Sequence, residues 1–171
     1  KKVFDKKLIY KGQYEGLYCK DCEAFYLEKD LIQGNCSVHG TKAELLKEES
    51  YFFKMGLFQK QLIDYIQKNP EFIQPKEKRN EMLSRLKEPL RDLSVSRASL
   101  KSGIPLPNDS SHVIYVWFDA LLNYLSGIDF PNKKFKEFWP ADIQLIGKDI
   151  QWFHCVIWPT ILFAAEIKLP K

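Results

Sequence analysis

Cys19-Lys20-Asp21-Cys22, followed after thirteen residues by Cys36-Ser37-Val38-His39, constrains this chain more than any other feature. Each pair sets two ligands around a tight turn, and a hairpin-length connection brings the turns together, as a tetrahedral zinc ion requires. Gly16, Gly34 and Gly40 stand where such turns need backbone freedom. Two disulfides, or unrelated thiols with a surface histidine, are the competing readings, but a disulfide framework has no use for His39. Three thiolates and one imidazole leave no open position for water or substrate, so a single bound ion is structural. Metal binding in small zinc peptides contributes about 10–16 kcal/mol of apparent folding free energy, enough to order a knuckle that lacks its own core. Here the knuckle covers roughly residues 14–42.

The rest of the chain has the material for a core. With 171 residues, 45% hydrophobic and 14% aromatic, it has room for one large domain or one domain and a small module. The formal charge of +4 is mild. Lys76-Glu77-Lys78-Arg79 and Lys133-Lys134-Phe135-Lys136 are short basic clusters, common on solvated faces and also able to meet RNA phosphates. No apolar run approaches the roughly 20 residues that span a bilayer, so no membrane partner is expected. Thiols used as metal ligands, without a signal peptide, predict a cytoplasmic location. Cys155 lies within Trp152-Phe153-His154-Cys155-Val156-Ile157-Trp158 and reads as a buried apolar residue. The chain begins at Lys1, which reads as an internal piece of a longer protein.

Residues 8–50 alternate turns with short β-like runs: Leu8-Ile9-Tyr10, Leu17-Tyr18 and Ala24-Phe25-Tyr26. Phe58, Leu62, Ile63 and Ile66 recur at helical spacing until Asn69-Pro70. A second helix after Pro75 carries Met82, Leu83 and Leu86 and stops near Pro89. The loop Gly103-Ile104-Pro105-Leu106-Pro107-Asn108 suits neither a central strand nor a helix and marks a domain boundary near residue 107. Two strand-to-helix units are expected beyond it. The strand Val113-Ile114-Tyr115-Val116-Trp117 leads to a helix from Ala120 to Ser126, N-capped by Asp119. The strand Ile143-Gln144-Leu145-Ile146 and the turn Gly147-Lys148 lead to a helix from Asp149 to about Glu166. Such alternation predicts an α/β fold with a parallel sheet, whose ligands gather beyond the carboxyl ends of the strands.

Both turns carry usable chemistry. Gly147 lets a ligand approach the backbone, Lys148 supplies a cation, and Asp149 offers an acceptor to a ribose or an ammonium group. Ile150, His154 and Trp158 follow at i, i+4 and i+8 on one face. Trp117 ends the first strand, and Ala120, Leu121 and Tyr124 share a face of the next helix. A small residue among large aromatics leaves a slot for a narrow apolar ligand; the same stripes also serve as core. Pro159 removes a backbone donor and is expected to perturb its helix.

Tyr115-Val116-Trp117-Phe118-Asp119-Ala120, then Gly147-Lys148-Asp149-Ile150 with His154 and Trp158, resembles the methionyl-tRNA synthetase family. Cys19, Cys22, Cys36 and His39 resemble the single-zinc connective-peptide insertion of its bacterial type. Glu49-Ser50-Tyr51-Phe52-Phe53, Arg79-Asn80-Glu81, Asp92-Leu93-Ser94-Val95-Ser96-Arg97 and Gly103-Ile104-Pro105 match in the same order, over essentially the whole chain.

The resemblance implies part of a class I synthetase Rossmann domain with an inserted zinc-knuckle α+β domain. Residues 1–107 would be the insertion, and residues 108–171 the second-half βα units. It implies a methionine–tRNA ligase that uses ATP with Mg2+ to form methionyl adenylate and passes the methionyl group to tRNA. The side-chain pocket then falls on Trp117, Ala120, Leu121, Tyr124, Ile150, His154 and Trp158, and the nucleotide side on Gly147, Lys148 and Asp149. Lys148 and Asp149 take catalytic roles, as does Arg97, which reaches from the insertion towards the acidic residue. Ser102 stands where the family usually has an aromatic, and Leu121 where it varies between proline and leucine. The histidine-rich phosphate motif and the lysine loop of class I synthetases are absent, and Lys54-Met55-Gly56 replaces neither. The segment alone is therefore expected to form no adenylate. A stand-alone zinc module that binds RNA and a class I synthetase for another apolar amino acid are the competing readings. Nothing in the sequence speaks to oligomeric state.

Overall fold

The computed structural model describes residues 1–171 except Lys20, Cys22, Glu23, Leu27, Lys29, Asp30 and Lys101. A one-turn helix, α1 (Lys2–Asp5), precedes a long strand, β1 (Ile9–Cys19). Three short strands follow, β2 (Ala24–Tyr26), β3 (Leu31–Ile32) and β4 (Asn35–Cys36), before the chain returns along β5 (Glu44–Phe53). β1 and β5 pair antiparallel in unbroken register from Ile9 opposite Phe53 to Tyr18 opposite Glu44, a ribbon roughly 30 Å long. The separate β-like runs at residues 8–10 and 17–18 are thus one strand. Its partner is hidden in the sequence because Glu44, Lys47, Glu48 and Glu49 obscure any apolar alternation, which a ribbon wet on both faces does not need. Glu15 and Lys47 stand directly opposite and pair at 2.9 Å.

A 3-10 turn at Met55–Phe58 leads into α2 (Gln59–Lys68) and α3 (Lys76–Arg85), which bury the expected faces, Leu62 and Ile66 on one and Met82 and Leu86 beyond the other. The Gln59 side chain donates to Leu86 O and Glu88 O and accepts from Leu90 N–H, closing the end of this pair. β6 (Leu93–Ser94) adds to the free edge of β5. Then β7 (Ser96–Arg97), β8 (Pro105–Leu106) and β9 (Asp109–Ile114) form an antiparallel sheet in the order β7-β9-β8. The proline-rich loop therefore contributes an edge strand, the one place in a sheet where proline is tolerated.

Beyond β9 the structure departs from expectation. The strand starts at Asp109 and ends at Ile114, and the expected strand residues Val116 and Trp117 open a helix, α4 (Val116–Ala120). Asp119 lies inside that helix and is no N-cap; α5 (Asn123–Ser126) is a separate turn. A short apolar run does not distinguish a buried strand from a buried helix turn. The last ladder partner is decisive here: Tyr115 N–H bonds Val95 O at 2.8 Å, and Phe118 N–H then bonds Tyr115 O at 2.9 Å. Residues 143–146 join no strand, with Ile143 77% and Leu145 94% exposed. Every strand pairing among the described residues is antiparallel. The expected parallel sheet is not formed within them, because a parallel pair needs a neighbouring strand and residues 143–146 have none here.

Beyond α6 (Lys133–Phe138) and the segment that follows it lies α7 (Trp158–Ala165), apolar on all sides and buried along nearly its whole length. Val3, Phe53, Val95, Leu121 and Leu125 pack around it. The turn before it, with Cys155 and Val156, packs on Leu62, Ile66, Met82 and Leu86. Burying each such side chain contributes about 1.5–3 kcal/mol. Lys2 and Lys6 donate to Ala165 O and Ala164 O at the helix end, where cations meet unpaired carbonyls.

Candidate functional site

Cys19 ends β1 and Cys36 ends β4. Their sulfurs and a ring nitrogen of His39 all lie within 4.8 Å of one another. The local chain explains the convergence. Gly40 N–H bonds Cys36 O and Cys36 N–H bonds Thr41 O, both at 2.8 Å, closing the turn that carries His39. Gly34 and Gly40 take φ of 80° and 69°, where a side chain is strained. Val38 N–H points at Cys36 Sγ at 3.4 Å, a contact that favours a thiolate. Cys22, the fourth expected ligand, lies outside the described residues. Two buried thiols and an imidazole at one point fit a soft divalent ion.

The aromatic site grows from the approach to α7. Lys148–Ile150 forms a 3-10 turn, and Phe153–Ile157 is a π-helical turn. Pro159 has no N–H to return to residue 155, and one residue added to the turn accommodates the missing bond. The perturbation expected of Pro159 is therefore a widening, with no break. His154, buried in this turn, has its Nδ1 3.0 Å from Ile150 O and its Nε2 2.8 Å from Tyr124 Oη. A carbonyl can only accept, so Nδ1 carries the proton, and Nε2 accepts from the Tyr124 hydroxyl. Tyr124 meets His154 edge-on at 5.6 Å and lies 6.0 Å from Trp158. Trp158 is fully buried, its Nε1 without a hydrogen-bond partner among the described residues.

The structure thus brings Tyr124, His154, Trp158 and the Ile150 backbone together. Leu121 packs in the core beside Trp158. Trp117 stacks flat on Phe153, 3.9 Å between centroids and 18° between planes. Phe153 escaped sequence reasoning, as did Trp139, which meets Trp158 edge-on at 6.3 Å. The aromatic run 152–153 was the signal for Phe153, but pairing it with Trp117 requires knowing that Trp117 is helical. Tyr124 also lines a hollow of about 330 Å³ with Ile128, Trp139, Ile143 and Leu145.

Gly147, Lys148 and Asp149 are exposed at the mouth of the helical segment. Gly147 is extended (φ −72°, ψ 153°), and a Cβ there would meet nothing within 4 Å, so the chain itself does not require glycine. Arg97 lies elsewhere in its contacts. Its guanidinium stacks on Tyr115 at 4.1 Å and bonds Ser94 and Ser96, and among the described residues no ion pair joins it to Asp149. Arg97, Tyr115 and Asp119 line a cleft of about 790 Å³ together with Glu48, Ser102 and Ile104.

Residues 10–171 match the family described as tRNA synthetases class I (M). The methionine–tRNA ligase of Clostridium perfringens (strain 13 / Type A) is 50% identical over 175 residues, covering 100% of this chain and 27% of that protein. That of Rickettsia bellii (strain RML369-C) is 48% identical over 172 residues, covering 99% of this chain and 34% of that protein. The solved structure of Mycobacterium tuberculosis methionyl-tRNA synthetase in complex with methionyl-adenylate superposes with a TM-score of 0.88 at 39% identity, over 99% of this chain and 35% of that one. The chain therefore spans about a third or less of the relatives it matches, and shares their mixed α/β class I fold.

Proposed function

The chain belongs to the class I tRNA synthetases of the methionine type, and on that premise we propose that it is the part of a methionine–tRNA ligase that recognises the methionine side chain. The proposed enzyme joins methionine to ATP, with Mg2+, as the adenylate and passes the methionyl group to tRNA in the cytoplasm. The observation that carries this reading is the Tyr124–His154 bond of 2.8 Å beneath Trp158. With Nδ1 committed to Ile150 O, His154 Nε2 takes the Tyr124 proton, so a guest meets mainly ring edges and faces there. A thioether gains about 0.3–1.5 kcal/mol from such edges. Ala120 leaves width for an unbranched chain, Trp117 and Leu121 set the walls, and one methylene of misfit costs about 1–3 kcal/mol.

In this reading Gly147 leaves room for the nucleotide, Asp149 meets the amino acid or the ribose, and Lys148 stabilises charge or holds the loop. Catalysis comes from positioning and charge stabilisation around the α-phosphate, to which Arg97 also contributes. Cys19, Cys22, Cys36 and His39 hold one structural zinc ion, which supplies folding energy to the far end of the ribbon and takes no part in the reaction. Residues 1–107 correspond to the connective-peptide insertion and residues 108–171 to the second Rossmann half. Titrating the full-length enzyme with methionine, leucine and isoleucine tests the proposal. Tryptophan fluorescence is expected to change with methionine alone, and an equal response to leucine or isoleucine contradicts it.

A further inference from the structure

Arg97 is held by a closed ring of hydrogen bonds among small buried side chains that the proposed reaction does not itself use. Its Nη1 carries two protons, and two acceptors take them, Ser94 Oγ and Ser96 O, each at 2.8 Å. Ser50 Oγ donates to the same Ser96 carbonyl at 3.0 Å. Ser94 Oγ lies 2.7 Å from Ser50 Oγ and therefore donates to it, keeping a lone pair for Arg97. The proton order runs Arg97 to Ser94 to Ser50 to Ser96 O, and Arg97 closes it from the other side. A second branch fixes Ser96. Its Oγ accepts from Tyr51 N–H at 2.9 Å and lies 3.1 Å from His112 Nδ1, and His112 Nε2 faces Glu49 at 3.4 Å. Ser50, Ser96 and His112 are at most 1% exposed. Glu48 takes the next two backbone N–H groups, Ala98 and Ser99, each at 2.7 Å, and so fixes the chain just beyond the arginine.

Three strands thus place hydroxyls where apolar side chains would pack at lower cost, and the shortest contacts give the ring one direction. Longer ones also join Ser50 Oγ to Tyr51 O (3.3 Å) and Ser96 Oγ (3.4 Å), and Ser94 Oγ to Ser96 O (3.5 Å). Such a network specifies an orientation more than it adds stability. We propose that Ser94 and Ser50 are positioning residues for Arg97. They hold its guanidinium over Tyr115 on the wall of the cleft, with the remaining N–H groups ready for the reaction. The proposal rests on the reading of Arg97 as a contributor to adenylate formation.

The test uses the full-length synthetase carrying Arg97→Ala, Ser94→Ala, Ser94→Thr, Ser50→Ala and the double variant Ser94→Ala/Arg97→Ala. Methionine-dependent ATP–pyrophosphate exchange gives kcat and KM, and thermal unfolding reports folding. Ser94→Ala is expected to lower kcat about tenfold at unchanged KM for methionine, because the lost contact acts in the transition state. Ser94→Thr, which keeps the hydroxyl, restores most of the rate. In the Arg97→Ala background, Ser94→Ala changes nothing. Should Ser94→Ala fail to fold, Ser50→Ala breaks the same ring and takes its place. A full rate in the serine variants, or an equal loss with and without Arg97, overturns positioning while leaving Arg97 its role. Unchanged exchange in Arg97→Ala removes the role of Arg97 itself, and the proposal with it.

Discussion

At one end of the β1–β5 ribbon, Phe53 is fully buried against Phe58 and Phe118. At the other end, Leu45 is 63% exposed and the strands run into the cysteine turns. The near end is held by packing spread over α1, α4, α5 and α7, so no single residue defines it. Among the described residues the far end buries few apolar side chains, and in the proposed reading its order comes from a metal ion held at one point. Removing a few atoms therefore has opposite consequences at the two ends. Loss of a metal ligand is local and large, whereas loss of a core side chain is global and moderate.

The largest effect is expected from the far end. Chelation, or Cys36→Ser, removes about 10–16 kcal/mol of apparent local stabilisation. Amide exchange in residues 14–42 is expected to become unprotected while α7 keeps its protection; simultaneous loss in both breaks the comparison. Trp158→Ala comes next, at about 3–5 kcal/mol of global stability by denaturant unfolding, with metal content unchanged. Tyr124→Phe leaves His154 Nε2 without its donor and is expected to cost about 1–3 kcal/mol of stability by denaturant unfolding, with weakened methionine binding beside it.

Charge effects are smaller. Ser111, foremost among its partners, holds Asp109 well below the usual carboxylate range, and Lys11 lowers the Glu49 carboxyl. A carboxyl depressed on folding stabilises above its unfolded value, about 4, and that stability is lost as pH falls through the lower folded value. Glu49 in turn raises Lys11, whose contribution is present below its unfolded value and lost as pH climbs through the folded one. Asp109→Asn is expected to flatten the acid side of a melting-temperature profile; an unchanged slope assigns acid sensitivity elsewhere. Smallest is Lys47→Ala, worth about 0–1 kcal/mol because the Glu15–Lys47 pair is exposed.

The same contrast governs how much could be read from residues alone. Cys19, Cys36 and His39 are close in sequence and bound by one coordination rule, and they converge as expected. α2 and α3 were legible because their apolar spacing admits one period. Trp117 was misplaced because Val113-Ile114-Tyr115-Val116-Trp117 satisfies a strand as well as a helix start. The hydrogen bond of Tyr115 to Val95 that decides between them is long-range. The stack of Trp117 on Phe153 and the serine ring around Arg97 were invisible for the same reason. Tyr124 with His154 was anticipated as a shared wall, though their direct bond was not.

The most direct test of the central claim is an anomalous-scattering map of the full-length enzyme crystallised with selenomethionine as its amino-acid ligand. A selenium peak beside Ala120, against the edges of Tyr124, His154 and Trp158, is the predicted result. Clear density for the ligand with its selenium away from these rings contradicts the account.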